Sequence, residues 1–73
     1  MDRDVIRRRT CIIIRKHGQY LRGRDMLTGR ILWTWSAYEA WRTRDEGKAR
    51  DVARETGGIM VLFNPIINRQ KVM

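Results

Sequence analysis

The chain has little of what secreted and membrane proteins depend on. Its 73 residues include a single cysteine and a single proline, so no internal disulfide can form and the disulfide-stapled secreted class is excluded. No apolar run approaches the roughly 18 residues of a membrane span, and the run at 11–14 is shorter than the roughly 7–15 residues of a signal-peptide core. These absences predict a soluble protein of the reducing cytoplasm with no membrane contact.

Residues that carry chemistry are also scarce. His17 is the only histidine and stands beside Gly18, where a general base is assured neither a nucleophile nor an orienting partner. Cys11 has no second cysteine with which to bind zinc, and its place among isoleucines is typical of a small buried side chain. We therefore expect no catalytic residue, no metal site and no cofactor, and hence a protein that is not an enzyme.

The chain has few acidic residues relative to its basic ones. Sixteen Arg and Lys stand against eight Asp and Glu, a formal net charge of +8. The first 24 residues alone hold eight of the cations against only Asp2 and Asp4, a local net charge of +6. Because cations that neutralise phosphates release condensed counterions, this asymmetry predicts attraction to a polyanion.

The length allows one domain with one core, since a chain this short buries only about 60% of its unfolded surface. We expect residues 1–9 to form a basic, partly flexible arm. Residues 10–63 should form a single α+β domain, followed by a tail at 64–73 that is available to extend the sheet.

Three strands are predicted in the first half of the domain. The β-branched run at 10–16 has apolar residues on both faces, which is typical of a central strand. His17-Gly18 is a hairpin turn that pairs 19–22 back antiparallel. In 31–35, period-two alternation places Ile31, Trp33 and Trp35 on one buried face.

Two capping boxes precede the predicted helical segments. Ser36-x-x-Glu39 predicts a short helical turn, and Thr43-x-x-Glu46 opens a longer helix. The inward stripe of that helix consists of Ala49, Val52, Ala53 and Thr56. Gly57 ends the helix in a left-handed conformation, and a last strand covers 59–63. The fold class is therefore α+β, a small mainly antiparallel sheet in the order β-β-β-α-β with one helix packed on one face.

A pattern of aromatic, alanine and glycine positions accompanies these elements. It comprises Tyr20-Leu21, Trp33-x-Trp35, Ala37-x-x-Ala40-Trp41, Lys48-Ala49 and Gly57-Gly58 before 59–62. The pattern resembles very small phage and prophage proteins, which combine a hairpin, a tryptophan-bearing strand, an alanine-rich helix and a closing strand. The resemblance implies an accessory protein, and some members of that class inhibit host defence nucleases. The class has no defining catalytic residues, so none is carried over.

The basic residues of the arm and hairpin form the predicted nucleic-acid-binding site. They are Arg7, Arg8, Arg9, Arg15, Lys16, Arg22 and Arg24. Guanidinium groups donate hydrogen bonds to phosphate oxygens, and these contacts carry no sequence information. We therefore expect the partner to be nucleic acid or a ribonucleoprotein or nuclease complex. The alternative is that these charges solvate the arm and keep sheet edges from aggregating.

A second function class remains open, a protein-interaction module such as an inhibitor of a host defence enzyme. Most aromatic rings should fill the core, and Trp41, beside Arg42 and Arg44, is the predicted exposed ring. The contact surface of such an interaction module would comprise these three residues and the apolar segment 65–67. A sheet edge left exposed would also permit homodimerisation.

Overall fold

The fold is given by a computed structural model that describes residues 9–73. Arg7 and Arg8 lie outside the described residues, so Arg9 alone represents the predicted arm.

Five antiparallel strands and one helix make up the described chain. The elements are β1 (Cys11–Lys16), β2 (Gln19–Arg24), β3 (Ile31–Thr34), a 3-10 turn (Ala37–Glu39), α1 (Glu46–Thr56), β4 (Ile59–Asn64) and β5 (Arg69–Val72). The sheet order is β3-β2-β1-β4-β5. The predicted α+β class is confirmed, and the tail extends the sheet as β5.

Strand β1 lies at the centre of the sheet, as its composition predicts. Cys11 and Ile13 are buried on one face, and Ile12 and Ile14 are buried on the other. Each face therefore has its own apolar cluster, and β1 contributes to both. A strand buried on both faces reads as a continuous apolar run, which is why the isoleucines follow one another without alternation.

The β1–β2 turn follows the predicted geometry. His17 has φ 52° and Gly18 has φ 78°. Two consecutive left-handed residues are typical of a type I′ turn, whose twist matches that of the flanking strands. His17 is exposed at this turn.

Helix α1 begins one residue after Asp45, whose carboxylate accepts a hydrogen bond from the Lys48 amide at 3.1 Å. The prediction that Thr43 caps the helix is wrong, because the Thr43 hydroxyl accepts from the Asp45 amide instead. The predicted inward stripe is confirmed: Ala49 and Thr56 are buried, and Val52 and Ala53 pack against the core. Gly57 has φ 73° and ends the helix.

Removing the cap is expected to cost stability. Asp45→Ala leaves the first helical amides without their side-chain acceptor and should lower the free energy of unfolding by about 1 kcal/mol. Asp51→Ala, at an exposed position within α1, changes the charge equally and should leave stability nearly unchanged. Urea denaturation of the two variants checks the difference, and equal losses would contradict the capping role.

The sheet opens between β1 and β2, which pair only near their turn. Farther along, Ile12 exchanges two backbone hydrogen bonds with Thr43, at 2.8 and 3.1 Å, and the Trp41 amide donates to Leu21 O at 2.8 Å. The segment 41–43 thus fills the gap between the two strands.

This segment carries the chain from one face of the sheet to the other. Ala37 and Ala40 pack with Cys11 and Phe63 on the first face. Trp41 packs with the cluster on the second face, where α1 also lies. The chain therefore crosses the sheet immediately before the helix.

Two local predictions near this crossing are wrong. Ser36 makes no side-chain cap, and the predicted box does not form: the Glu39 carboxylate accepts a hydrogen bond from the Thr34 hydroxyl at 2.9 Å, and the Ser36 amide donates to that hydroxyl at 3.1 Å. Trp35 does not join Ile31 and Trp33 on a buried face, because β3 ends at Thr34; its side chain is 74% exposed.

Candidate nucleic-acid interface

Three arginines converge on one cavity beside the start of β1. The cavity has a volume of about 330 Å³ and is lined by Arg9, Cys11, Arg42, Thr43, Arg44 and Pro65. Among the described residues, no carboxylate lines it. We call this the arginine cavity.

The crossing segment positions two of the arginines. Thr43 is fixed to Ile12 by two backbone hydrogen bonds, and Arg42 and Arg44 stand on either side of it. Alternate residues of an extended segment point the same way, and both arginines line the cavity. Arg9 reaches the same cavity because only Thr10 separates it from β1.

Arg42 is held in place by two contacts. Its Nη2 donates to Tyr38 O at 2.8 Å, and its guanidinium carbon lies 5.9 Å from the centroid of the Phe63 ring. A ring face below the guanidinium stabilises the cation. Only some of its five donor N–H groups are used by these contacts, so others remain for an anion.

Cys11 lies at the inner side of the cavity. Burial raises the pKa of its thiol, and the nearby charges of Arg42 and Arg44 act in the opposite direction without cancelling the effect. The thiol lies 3.4 Å from Phe63 O, to which it donates. The protonated, buried thiol therefore acts as part of the core, as its sequence context predicts.

The hairpin cations do not share one surface. Arg24 forms an ion pair with Glu55 and also donates to Gly29 O at 3.4 Å. Lys16 donates to Thr56 O at 3.0 Å, at the end of α1, and lies 5.8 Å from the Trp33 ring centroid.

Arg15 and Arg22 are placed differently again. Arg15 is on the face opposite to α1, where it donates to Gln70 Oε1 at 3.5 Å. Arg22 is exposed where the pairing of β2 with β3 is irregular. The structure thus divides the predicted basic hairpin between two faces, and several of its cations already have partners within the protein.

Trp41 is not the exposed ring that the sequence predicts. It is half-buried and packs against the cluster of Ile12, Ile14 and Leu21. It also lines a second cavity, of about 250 Å³, between α1 and β2. The segment 65–67 is elsewhere: Pro65 lines the arginine cavity, and Ile66 and Ile67 are exposed.

The arginine cavity combines residues that the sequence assigns to two different sites. Arg9 belongs to the predicted nucleic-acid-binding set, and Arg42 and Arg44 belong to the predicted partner-binding set. The sequence does not single out Thr43 as a site residue, and it assigns Pro65 to the protein-interaction surface rather than to a cavity with these arginines. An Arg-x-Arg pair in an extended segment is a usable signal, but its proximity to Arg9 depends on the crossing of the sheet.

Two other features are absent from residues 9–73. Among them, no group of three or more His, Cys, Asp or Glu is placed to hold a metal ion. Nor does this part of the chain contain a helix long and apolar enough to cross a membrane. Comparison of the chain with protein-family models, with curated proteins and with solved structures finds no match.

Proposed function

We propose that this protein binds nucleic acid, with the arginine cavity gripping the phosphate backbone. The observation that carries the proposal is the convergence of Arg9, Arg42 and Arg44 on a cavity to which the described residues contribute no carboxylate. Guanidinium forks form short, charge-assisted hydrogen bonds with phosphate oxygens. Phosphate contacts of this kind fix position and carry no sequence information.

The distribution of charge supports the same surface. Helix α1 holds three cations and three acids between Glu46 and Thr56, so it contributes little net potential. Arg7 and Arg8 adjoin Arg9 in the sequence and add two cations to the segment that precedes β1. A nucleic acid, or a complex that contains one, should therefore approach the protein from this side.

Removing two cavity arginines should weaken binding strongly. A hydrogen bond to a charged group contributes about 1.5–3 kcal/mol, so Arg42→Ala/Arg44→Ala should lower affinity for a mixed-sequence DNA duplex about tenfold or more at low salt. The slope of log K against log salt should become shallower by about 1.8, because two phosphate contacts are lost. Fluorescence anisotropy, titrated against salt, measures both quantities.

The matched control removes the same charge from α1. Arg50→Ala/Arg54→Ala deletes two exposed arginines that are interspersed with Glu46, Asp51 and Glu55, so affinity and salt slope should change little. Absence of binding by the natural protein at low salt would overturn the proposal. Equal losses in the two double variants would also overturn it, since they would reflect net charge alone.

The second candidate function is a protein-interaction module. Tyr38 is half-exposed, and its hydroxyl donates to Pro65 O at 3.4 Å. This bond brings the aromatic ring to the segment that carries the exposed Ile66 and Ile67, so apolar groups adjoin one another at this end of the sheet. An apolar interface of this kind would be far less sensitive to salt than phosphate contacts. Salt-resistant capture of a host enzyme, unchanged by Arg42→Ala/Arg44→Ala, would favour it.

The cellular setting is a separate part of the proposal. We place the protein in a reducing cytoplasm as a non-enzymatic accessory factor of a phage or prophage. The resemblance of its aromatic and alanine pattern to small phage proteins supports that origin, and the buried, protonated thiol of Cys11 is compatible with that compartment.

A further inference from the structure

The loop between β2 and β3 holds two apolar side chains almost entirely in water. Met26 is 97% exposed and Leu27 is 96% exposed. No other large apolar side chain among the described residues is as exposed; the next is Trp35 at 74%. Two adjacent side chains of this kind at a loop tip contribute nothing to the core, so the fold itself does not explain them.

Hydrogen bonds hold this loop in a defined conformation. The Asp25 amide donates to Arg30 O at 2.8 Å, and the Gly29 amide donates to Asp25 O at 2.9 Å, which closes the loop from both sides. The Asp25 carboxylate accepts from the Leu27 amide at 2.8 Å. These bonds fix the backbone that carries Met26 and Leu27, whose side chains remain in water, so the tip is preorganised.

An arginine stands at each base of the loop, and the loop lies toward the same end of the sheet as the arginine cavity. Arg24 ends β2, where it is paired with Glu55, and Arg30 precedes β3 without an ion pair among the described residues. The carboxylate of Asp25 is turned onto the amides of its own loop. Because β1 and β2 are antiparallel, the end of β2 and the beginning of β1 lie toward the same end of the sheet, with the segment 41–43 between them.

We propose that this loop is a wedge for double-stranded DNA, with Met26 and Leu27 entering between base pairs from the minor groove. The inference rests on the proposed nucleic-acid-binding function. Proteins that kink DNA insert apolar side chains such as Leu and Met between base steps, with basic residues on the flanking backbone. The arginine cavity would grip a phosphate while the tip enters the groove.

Shape favours DNA over a lipid surface. A flat anionic membrane would receive the protruding tip, but its phosphates lie beneath the lipid headgroups, where a concave site reaches them less readily. A duplex offers both features, since phosphates project along the rims of the minor groove and apolar side chains at a loop tip can insert between its base steps. Double-stranded RNA fits less well, because its minor groove is wide and shallow and its major groove is deep and narrow.

The test compares two pairs of substitutions at the tip. Met26→Ala/Leu27→Ala removes side chains that are almost fully exposed, so its melting temperature should stay unchanged. Its affinity for a short DNA duplex should fall about tenfold, from lost apolar burial. The exchange Met26→Leu/Leu27→Met keeps the apolar volume and should bind like the natural protein.

Bending of the duplex is the decisive readout. With fluorophores at both duplex ends, the natural protein should increase energy transfer, as a kink of about 20–90° requires. Met26→Ala/Leu27→Ala should bind without that increase, whereas Arg42→Ala/Arg44→Ala should weaken binding and flatten the salt slope but still bend DNA at saturation.

Other outcomes would overturn the wedge. If Met26→Ala/Leu27→Ala binds and bends DNA like the natural protein, the inference fails while the proposed function stands. If that variant instead loses binding to phosphatidylserine vesicles and keeps its affinity for DNA, the tip is a membrane contact. If the natural protein shows no salt-dependent binding to any nucleic acid, both proposals fail together.

Discussion

Replacing Phe63 with alanine is expected to leave the protein largely unfolded at physiological temperature. The ring is fully buried on the face of the sheet opposite to α1, where it packs with Cys11 and Val61. The Tyr38 ring meets it edge-on, with the ring centroids 5.5 Å apart. Truncating a buried Phe costs about 3–5 kcal/mol, and a domain of this size seldom has more than about 3–5 kcal/mol of stability.

Urea denaturation followed by circular dichroism measures the loss. The control is Ile59→Ala on the same strand. The Ile59 side chain is half-exposed, so its truncation leaves only a small cavity. Surface substitutions of this kind change the free energy of unfolding by no more than about 0.5 kcal/mol. A cooperative transition for Phe63→Ala, shifted no further than that of Ile59→Ala, would contradict the central place of this ring in the core.

Phe63 also links the core to the arginine cavity, since Arg42 lies over its ring. Phe63→Leu keeps an apolar side chain and should retain the fold, but it removes the ring face that stabilises the guanidinium. An exposed cation–π contact contributes about 0.5–1 kcal/mol, so the affinity for DNA should fall about two- to fivefold. An unchanged affinity would assign the placement of Arg42 to its hydrogen bond with Tyr38 O alone.

Much of this fold is encoded in short stretches of sequence. The run of isoleucines in β1 predicts a central strand because both neighbouring faces need apolar side chains. His17-Gly18 predicts the hairpin because the turn demands left-handed residues. The small residues of α1, at helical spacing, predict which side of the helix meets the sheet. Each of these signals depends on residues within a few positions of one another.

The crossing of the sheet by 41–43 has no such local signal. It depends on hydrogen bonds between Ile12 and Thr43, which are far apart in the sequence. The same long-range pairing decides that Trp41 is half-buried. Once β3 ends at Thr34 to let the chain cross, Trp35 lies outside the sheet and is exposed. Period-two alternation predicts a face only while the strand continues.

The arginine cavity was beyond prediction for the same reason. The sequence shows two basic clusters separated by the length of three strands, and only the crossing segment brings Arg42 and Arg44 to Arg9. Charge composition predicts that the protein attracts a polyanion, because that property depends on net charge. It does not predict which cations converge, because convergence is a property of the tertiary fold.

Adding one methyl group at Gly58 is expected to destabilise the protein by about 1–3 kcal/mol, the usual cost of overpacking a core. Gly58 joins the end of α1 to β4. A Cβ there would lie 2.5 Å from Cγ2 of Ile14 and 3.1 Å from Arg15 O. Ile14 is fully buried and Arg15 O belongs to the backbone of the central strand, so neither can give way freely. Gly58→Ala must therefore move α1 away from the sheet.

The matched control for Gly58 is the same methyl group at Gly47, within the first turn of α1. A Cβ at Gly47 would meet only Asp45 Oδ1, at an ordinary 3.4 Å, and alanine is favoured over glycine in a helix by about 0.5–1 kcal/mol. Gly47→Ala should therefore raise the melting temperature, whereas Gly58→Ala should lower it, by about 4–8 °C per kcal/mol in a domain of this size.

Leucine lacks the Cγ2 methyl of isoleucine, so Gly58→Ala/Ile14→Leu should lose less stability than the two single variants added together. Thermal denaturation of the four variants tests this, and strict additivity would show that the contact between Gly58 and Ile14 does not set how closely the helix approaches the sheet.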